Sequence, residues 1–453
     1  MRDEIIRDQD QLSEVFRKAE KPRDAFLIGM EAEKFGVYCP SMAPLEYLGE
    51  QGVEGIFRFL TQRFGYTPYT ETANGPVVAL HRGMASITLE PAAQVELSGA
   101  PHVNVHLVRQ EFEVHLQELC AISDAFGVRF LHIGFHPLAK HDVLPWVPKR
   151  RYPIMAEYLP AQGARGLDMM RRTATVQANL DYSSEADAMR KLRVLSRLSP
   201  AIGAFTMNAP FLEGRPSALR SERQDVWQHM DTRRSGALPQ LWDKENACYN
   251  DYVEWALDAG MFLFYRGERA YKNTGQTFRA FLKDGFEGER ATLEDWKLHL
   301  GTLFPEVRLK TTLELRCCDC LPPELAVSIP ALALGLTADA RSLDEAEALS
   351  VVMKRENAAQ IIHGAQREGL AASVGQKRLA DVAASVLDIA RGGLQRRGQL
   401  NAAGLDESIH LSALTQLVEQ GLTPADSLLR RFRATGVSVA EFVANHCCVR
   451  RDA

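Results

Sequence analysis

What most constrains this chain is an alternation of period two that sets acids along one side of otherwise apolar segments. In Phe26-Leu-Ile-Gly-Met-Glu-Ala-Glu-Lys34, Glu31 and Glu33 interleave with Ile28, Met30 and Ala32. Successive side chains of a β-strand point to opposite faces, so both carboxylates fall on one face. The pattern recurs in Ser86-Ile-Thr-Leu-Glu90, Gln94-Val-Glu-Leu-Ser98, Thr173-Ala-Thr-Val-Gln-Ala-Asn-Leu-Asp181 and Arg308-Leu-Lys-Thr-Thr-Leu-Glu-Leu-Arg316. Joined in one sheet, these segments line a single surface with Glu31, Glu33, Glu90, Glu96, Gln177, Asn179, Glu314 and Arg316. Carboxylates gathered in this way repel one another unless a cation sits among them. Hard divalent ions, Mg²⁺ first, prefer such oxygen ligands and accompany phosphate substrates.

At 453 residues the chain is long enough for two or three domains, or for one elaborated domain. Hydrophobic residues at 46% and charged residues at 25% are ordinary for a soluble globular protein. A formal net charge of −5 excludes a general attraction to nucleic acid or anionic membrane, so any phosphate site is built locally. Met1-Arg-Asp-Glu-Ile-Ile-Arg-Asp8 is too charged for a secretory signal, and no apolar run approaches the roughly 20 residues that span a bilayer. A cytoplasmic enzyme is therefore expected. The eight cysteines show no disulfide-framework spacing and read as thiols.

Along the chain, residues up to about Asp24 read as a polar helical lead-in, with Pro22 at its end. Val105, Val108, Phe112, Leu116, Leu119, Ile122 and Phe126 are spaced by three and four, which predicts an amphipathic helix closed by Gly127. A strand is expected over Arg129 to His136. Ser184 opens a further helix with Met189, Leu192, Leu195 and Leu198 as its core stripe, and Pro200 lies just past that stripe. From Ser342-Leu-Asp-Glu345, a capping-box pattern, helix formers dominate to the end. The expected fold is α+β, with a mainly antiparallel sheet and a helical C-terminal region. The division predicted is a catalytic region, 1–336, and a helical region, 337–453, packed on it.

Arg308, Lys310, Glu314 and Arg316 share one face of a regular strand, mixing cations and a carboxylate as a metal–nucleotide site requires. Arg171 and Arg172 precede the Thr173 to Asp181 segment; strict alternation favours Arg171 on the polar face, while a bulge at its start would favour Arg172. Cys317-Cys-Asp-Cys320 invites a zinc or redox reading, although no spaced Cys/His pair elsewhere completes a structural zinc site. P-loop, dinucleotide-binding and serine-hydrolase motifs are absent.

Taken together, these stretches resemble the plant-type glutamate–cysteine ligases, which also occur in proteobacteria. The resemblance runs from about Phe26 to Leu336 and is carried by Gly29 to Gly36, Ser86 to Pro101, Pro148 to Met155, Gly166 to Tyr182 and Phe304 to Lys310. It implies a glutamine-synthetase-like fold of the carboxylate–amine ligase group, with a curved antiparallel sheet whose concave face holds ATP, metal and amino acid. It also implies ATP-dependent joining of the γ-carboxylate of L-glutamate to the amine of L-cysteine. Matched by position, Glu31, Glu33, Glu90, Glu96 and Glu314 become the Mg²⁺ set, with Gln177 and Asn179 beside the nucleotide or substrate. Arg151, Arg172 and Arg223, with Tyr152, become the glutamate-binding residues. Arg316 meets the transferring phosphate, and Arg308 and Lys310 the nucleotide phosphates.

Plant members carry a cysteine pair in the hairpin around Thr274 to Phe278; here Asn273 stands at one position and Lys283 to Glu289 holds no cysteine. That departure from the plant pattern leaves redox control through the pair open. The amine acceptor stays open, as do a nucleotide-binding protein without turnover and the choice between monomer and homodimer.

Overall fold

The computed structural model describes residues 4–244, 246–354 and 357–450. Among these, nine strands form one sheet: β1 (Ile28–Tyr38), β2 (Thr67–Thr70), β3 (Val77–Arg82), β4 (Ala85–Leu89), β5 (Val95–Ser98), β6 (Val128–Leu131), β7 (Val176–Leu180), β8 (Val307–Leu309) and β9 (Leu313–Leu315). The order is β8-β9-β7-β1-β5-β4-β3-β2, every pairing antiparallel, with β6 on the C-terminal half of β1. β1 is the hub: its first half pairs with β7 on one side and β5 on the other. Ile28, Met30 and Ala32 are buried on the face opposite Glu31 and Glu33.

Helices cover that apolar face. Helix α1 (Val105–Phe126) packs on β1 and β6; the Asn104 side chain accepts from Leu107 N at its start, and Gly127 at φ 65° ends it. The remaining helices that position the site are α2 (Arg151–Gln162), α3 (Gly166–Arg172), α4 (Glu185–Phe205), α5 (Ser328–Thr337) and α6 (Leu379–Arg397). α5 lies on β1 and β7, and α6 lies on α5. That crossing depends on small residues: a Cβ on Gly393 would stand 2.1 Å from the Gly335 carbonyl oxygen, and one on Gly335 would stand 2.3 Å from that of Ala390. One hydrophobic cluster runs from Leu12 through the sheet to Leu394 and Val418, so residues beyond 337 share the core of the earlier ones.

Local expectations change at several points, and the strand expected over Arg129 to His136 is Val128–Leu131. Arg308 to Arg316 is a hairpin rather than one strand, with Lys310 N donating to Thr312 O at the turn. The stretch before β7 is helical to Arg172, and the strand begins only at Val176. α4 runs through Pro200 to Phe205; proline cannot bond the Ser196 carbonyl, and the Ser199 hydroxyl donates to it instead at 2.9 Å. The helix near Ser342 is Ala340–Ser350, capped by Asp339, which accepts from Ser342 N at 2.7 Å. Ser342 is buried one turn inside, its hydroxyl taken by Arg396 at 2.6 Å.

Candidate functional site

Strand register assembles the polar face row by row. Glu33 lies opposite Glu96, and Glu96 opposite Thr88. In the next row Gln177 lies opposite Glu31, and Glu31 opposite Ser98. A third row aligns Arg308, Glu314, Asn179 and Gly29. Gly29 leaves room above itself, since a Cβ there would be 3.3 Å from that of Asn179. The Asn179 amide instead donates to Glu31 Oε1 at 3.0 Å. Over the first two rows opens a cavity of about 370 Å³. Of the residues expected from the sequence, Glu31, Glu33, Glu90, Glu96, Gln177, Arg151, Tyr152, Arg223, Arg308, Lys310 and Arg316 line it, whereas Asn179, Glu314 and Arg172 do not.

Glu314 lies beneath the cations. Its Oε2 accepts from Arg308 Nε at 2.6 Å, its Oε1 faces Lys310 Nζ at 2.7 Å, and Arg316 Nη1 stands 3.5 Å away. Burial alone would raise its pKa, but these three cations outweigh it and hold the carboxyl down at about 2. Both Glu314 oxygens face these cations, and the carboxylate does not line the cavity. Arg316 Nη1 also donates to Gln177 Oε1, which points the guanidinium across β7 toward Glu31 and Glu33.

The acidic side is the reverse. Glu31 is raised to about 7, first by burial and then by Glu314 and Glu96. Burial, then Glu90 and Glu96, lift Glu33 well above the ordinary range, and burial with Glu90 lifts Glu96. Their partners are mostly neutral: Thr175 N donates to Glu33 Oε2 at 3.0 Å, and the Thr88 hydroxyl donates to Glu96. Three raised carboxylates, with Glu90 beside them on the same cavity, fit a hard dication. Among the described residues, no three His, Cys, Asp or Glu side chains are arranged to hold a metal unaided. A dication held by these residues would have to complete its shell with other oxygens, such as those of a phosphate.

The two adjacent arginines occupy the last turn of α3, so strand alternation does not apply to them and the expected bulge is replaced by helix. Arg171 stacks 4.1 Å over Trp146 and donates to the carbonyls of Leu144 and Pro145. Arg172 sits 4.3 Å over Phe135, with Nη1 near Asp168 and Glu213 at 3.3 and 3.4 Å. Thr173 and Thr175 reach the cavity instead. Arg223 does reach it, anchored by Nη2 donating to Arg316 O at 2.9 Å.

Some lining residues were not anticipated: Lys149, Thr88, Gln94, Trp227 and the sulfur-bearing group Met155, Met169 and Met170. Lys149 was within reach of sequence reasoning, because it belongs to the same Pro148 to Met155 motif as Arg151. Burial, with Arg151 adding to it, lowers its ammonium to about 8. Cys317, Cys318 and Cys320 are buried as free thiols, and burial pushes Cys320 up to about 12. A wider cleft of about 720 Å³ between the end of β1 and residues 438–450 contains none of the expected site residues.

Residues 27–445 match the model of glutamate–cysteine ligase family 2 (GCS2). A chloroplastic glutamate–cysteine ligase of Medicago truncatula is 38% identical over 91% of this chain and 79% of its own length. The enzyme of Arabidopsis thaliana is 37% identical over 91% of this chain and 77% of its own. A glutamate–cysteine ligase from Francisella tularensis, solved in complex with AMP, has a similar fold, with a TM-score of 0.51 and 11% identity over 93% of this chain and 87% of that one. With a family model spanning nearly the whole sequence and relatives aligned over nine tenths of it, the chain belongs to glutamate–cysteine ligase family 2.

Proposed function

We propose that this chain joins the γ-carboxylate of L-glutamate to the amine of L-cysteine at the expense of ATP, through γ-glutamyl phosphate, the first step of glutathione biosynthesis. The observation that carries the reading at this site is the juxtaposition, in one cavity, of four carboxylates, three of them raised for want of positive charge, and a bank of arginines and lysine. A carboxylate is a poor acyl donor, so its oxygen is first phosphorylated and the amine then displaces phosphate. The protein's contribution is to position reactants and stabilise charge. No side-chain nucleophile is needed.

Arg151 and Arg223 supply guanidinium groups for the carboxylates of glutamate. Arg316, aimed by Gln177, spreads the charge of the transferring phosphoryl group, and Arg308 and Lys310, pinned by Glu314, meet the nucleotide phosphates. Glu31, Glu33, Glu90 and Glu96 hold Mg²⁺, which when bound neutralises phosphate oxygens. Asn179 fixes the direction of Glu31 from below.

The test is to incubate purified protein with Mg-ATP and glutamate and to follow ADP with and without cysteine. Cysteine-dependent ADP release with γ-glutamylcysteine as product is expected. ADP release with another amine in a panel, and none with cysteine, would move the acceptor; no product with any amine would reject the ligase reading.

A further inference from the structure

Of the four carboxylates facing the cavity, the Glu90 side chain alone has no hydrogen-bond or ion-pair partner among the described residues, while its backbone N donates to Gln94 O and its carbonyl accepts from Ala93 N, both at 3.0 Å. It stands in the turn that joins β4 to β5, which places its Cα, and the charges of Lys149 and Arg151 act on its carboxylate. That backbone is not relaxed: Ala93 adopts φ 62°, a left-handed value that costs a residue with a Cβ. The turn is gripped from two sides. On one side Lys149 Nζ and Tyr152 OH both donate to the Leu89 carbonyl, at 2.6 and 2.9 Å, one residue before Glu90. On the other, Gln94 Oε1 accepts from Ala92 N at 2.8 Å while its Nε2 donates to Thr173 O at 3.1 Å. Lys149 and Gln94 are both almost fully buried. The mechanism above uses neither.

We propose that Lys149 and Gln94 are positioning residues that clamp the β4–β5 turn, so that the Glu90 carboxylate stays beside Glu96 in readiness for the divalent cation. The inference rests on the reading of that carboxylate face as an ion site. It makes a prediction opposite in sign to plain electrostatics. Lys149 is coupled to Glu90 and Glu96 by charge; by Coulomb's law alone, removing a cation from beside an ion site tightens binding of the ion. Removing a clamp loosens it. Supporting groups of this kind are worth about 10- to 100-fold in metal affinity.

The experiment titrates the full chain with Mn²⁺, reading free Mn²⁺ by electron paramagnetic resonance, with and without ATP, and records thermal melting beside it. Lys149→Met and Gln94→Met are each expected to weaken Mn²⁺ binding by about tenfold or more, with Lys149→Arg, which keeps a donor, recovering most of the loss. Unchanged or tighter binding in Lys149→Met overturns the clamp, and so does unchanged Mn²⁺ affinity with a raised glutamate KM, which would place Lys149 on the substrate. If Lys149→Met does not fold, Lys149→Arg and Gln94→Met decide the matter by the same readings. Absence of Mn²⁺ binding by the unmodified protein, with or without ATP, would instead reject the ion-site reading itself.

Discussion

On the β8–β9 side of the cavity a glutamate sits in a cage of cations; on the β1–β5 side three glutamates sit largely among one another. Glu314 has Arg308, Lys310 and Arg316 around it and is held as an anion at about 2, although it is only 2% exposed. Glu33 and Glu96 are buried on the same sheet and Glu31 is half-buried beside them, yet all three are pushed up. Burial is common to both sides, so the difference lies in the counter-charge. The first side is complete within the protein and can hold its cations in place before a nucleotide arrives. The second is incomplete, and whatever binds must bring positive charge.

The sharpest way to break this contrast is to neutralise one glutamate on each side. Glu33→Gln keeps an oxygen for Thr175 N but removes a charge meant for the ion. If ion stabilisation of the transferring phosphoryl group amounts to several kcal/mol, activity with Mg-ATP should fall about a thousandfold or more at ~1.4 kcal/mol per tenfold. The melting temperature without ligands should hold or rise, because a desolvated anion with raised pKa destabilises the folded state at neutral pH. A drop in both would mean that the acidic side is already compensated. Glu314→Gln should do the opposite to stability: it strands buried cations, at a cost of ~3–5 kcal/mol, visible as a lower urea midpoint. An unchanged midpoint would show that Arg308 and Lys310 do not depend on their carboxylate.

A milder perturbation adds the missing charge instead of removing the existing one. Mg²⁺ supplied without nucleotide at a hundred times its dissociation constant should stabilise the protein by about 2.7 kcal/mol, and this gain should vanish in Glu33→Gln while persisting in Glu314→Gln. Equal gains in the two variants would erase the distinction between the sides.

The acidic side was legible in the sequence because its information is parity: an every-second-residue pattern assigns a face whatever the neighbours are. Parity also hid the hairpin. Arg308 and Glu314 are an even number apart, so a straight strand and a reversal with a short turn both put them on one face, and nothing in Lys310-Thr-Thr312 resembles the glycine-rich turns that announce a reversal. Where the backbone is helical, parity fails. Arg171 and Arg172 were weighed as strand neighbours, but α3 sends one onto Trp146 and the other onto Phe135. Helix ends were misplaced for a further reason: Asp339 and Ser342 are both good capping residues, and only packing decides that Ser342 goes inside against Arg396. Lys149 shows the limit of pattern reading most plainly, since its partner is a backbone carbonyl sixty residues away in the chain, which no local spacing records.

Arg223 tests the boundary between the two sides, with the smallest expected effect. It donates to the carbonyl of Arg316, so it belongs structurally to the cationic side, yet it faces the same space as Glu33 and contributes to lowering that carboxyl. Arg223→Lys keeps the charge and loses the planar fork. If its task is to bind a carboxylate of glutamate through two parallel hydrogen bonds, the glutamate KM should rise by about tenfold, the cost of roughly one charge-assisted bond. The Mg-ATP requirement and the melting temperature should move little, because Coulombic support for Glu33 depends on charge and not on the fork. Steady-state kinetics with each substrate varied in turn separates these outcomes. A matched rise in the Mg-ATP requirement would mean that Arg223 serves the ion side through Glu33, and the division drawn between the two sides would then run on the other side of this residue.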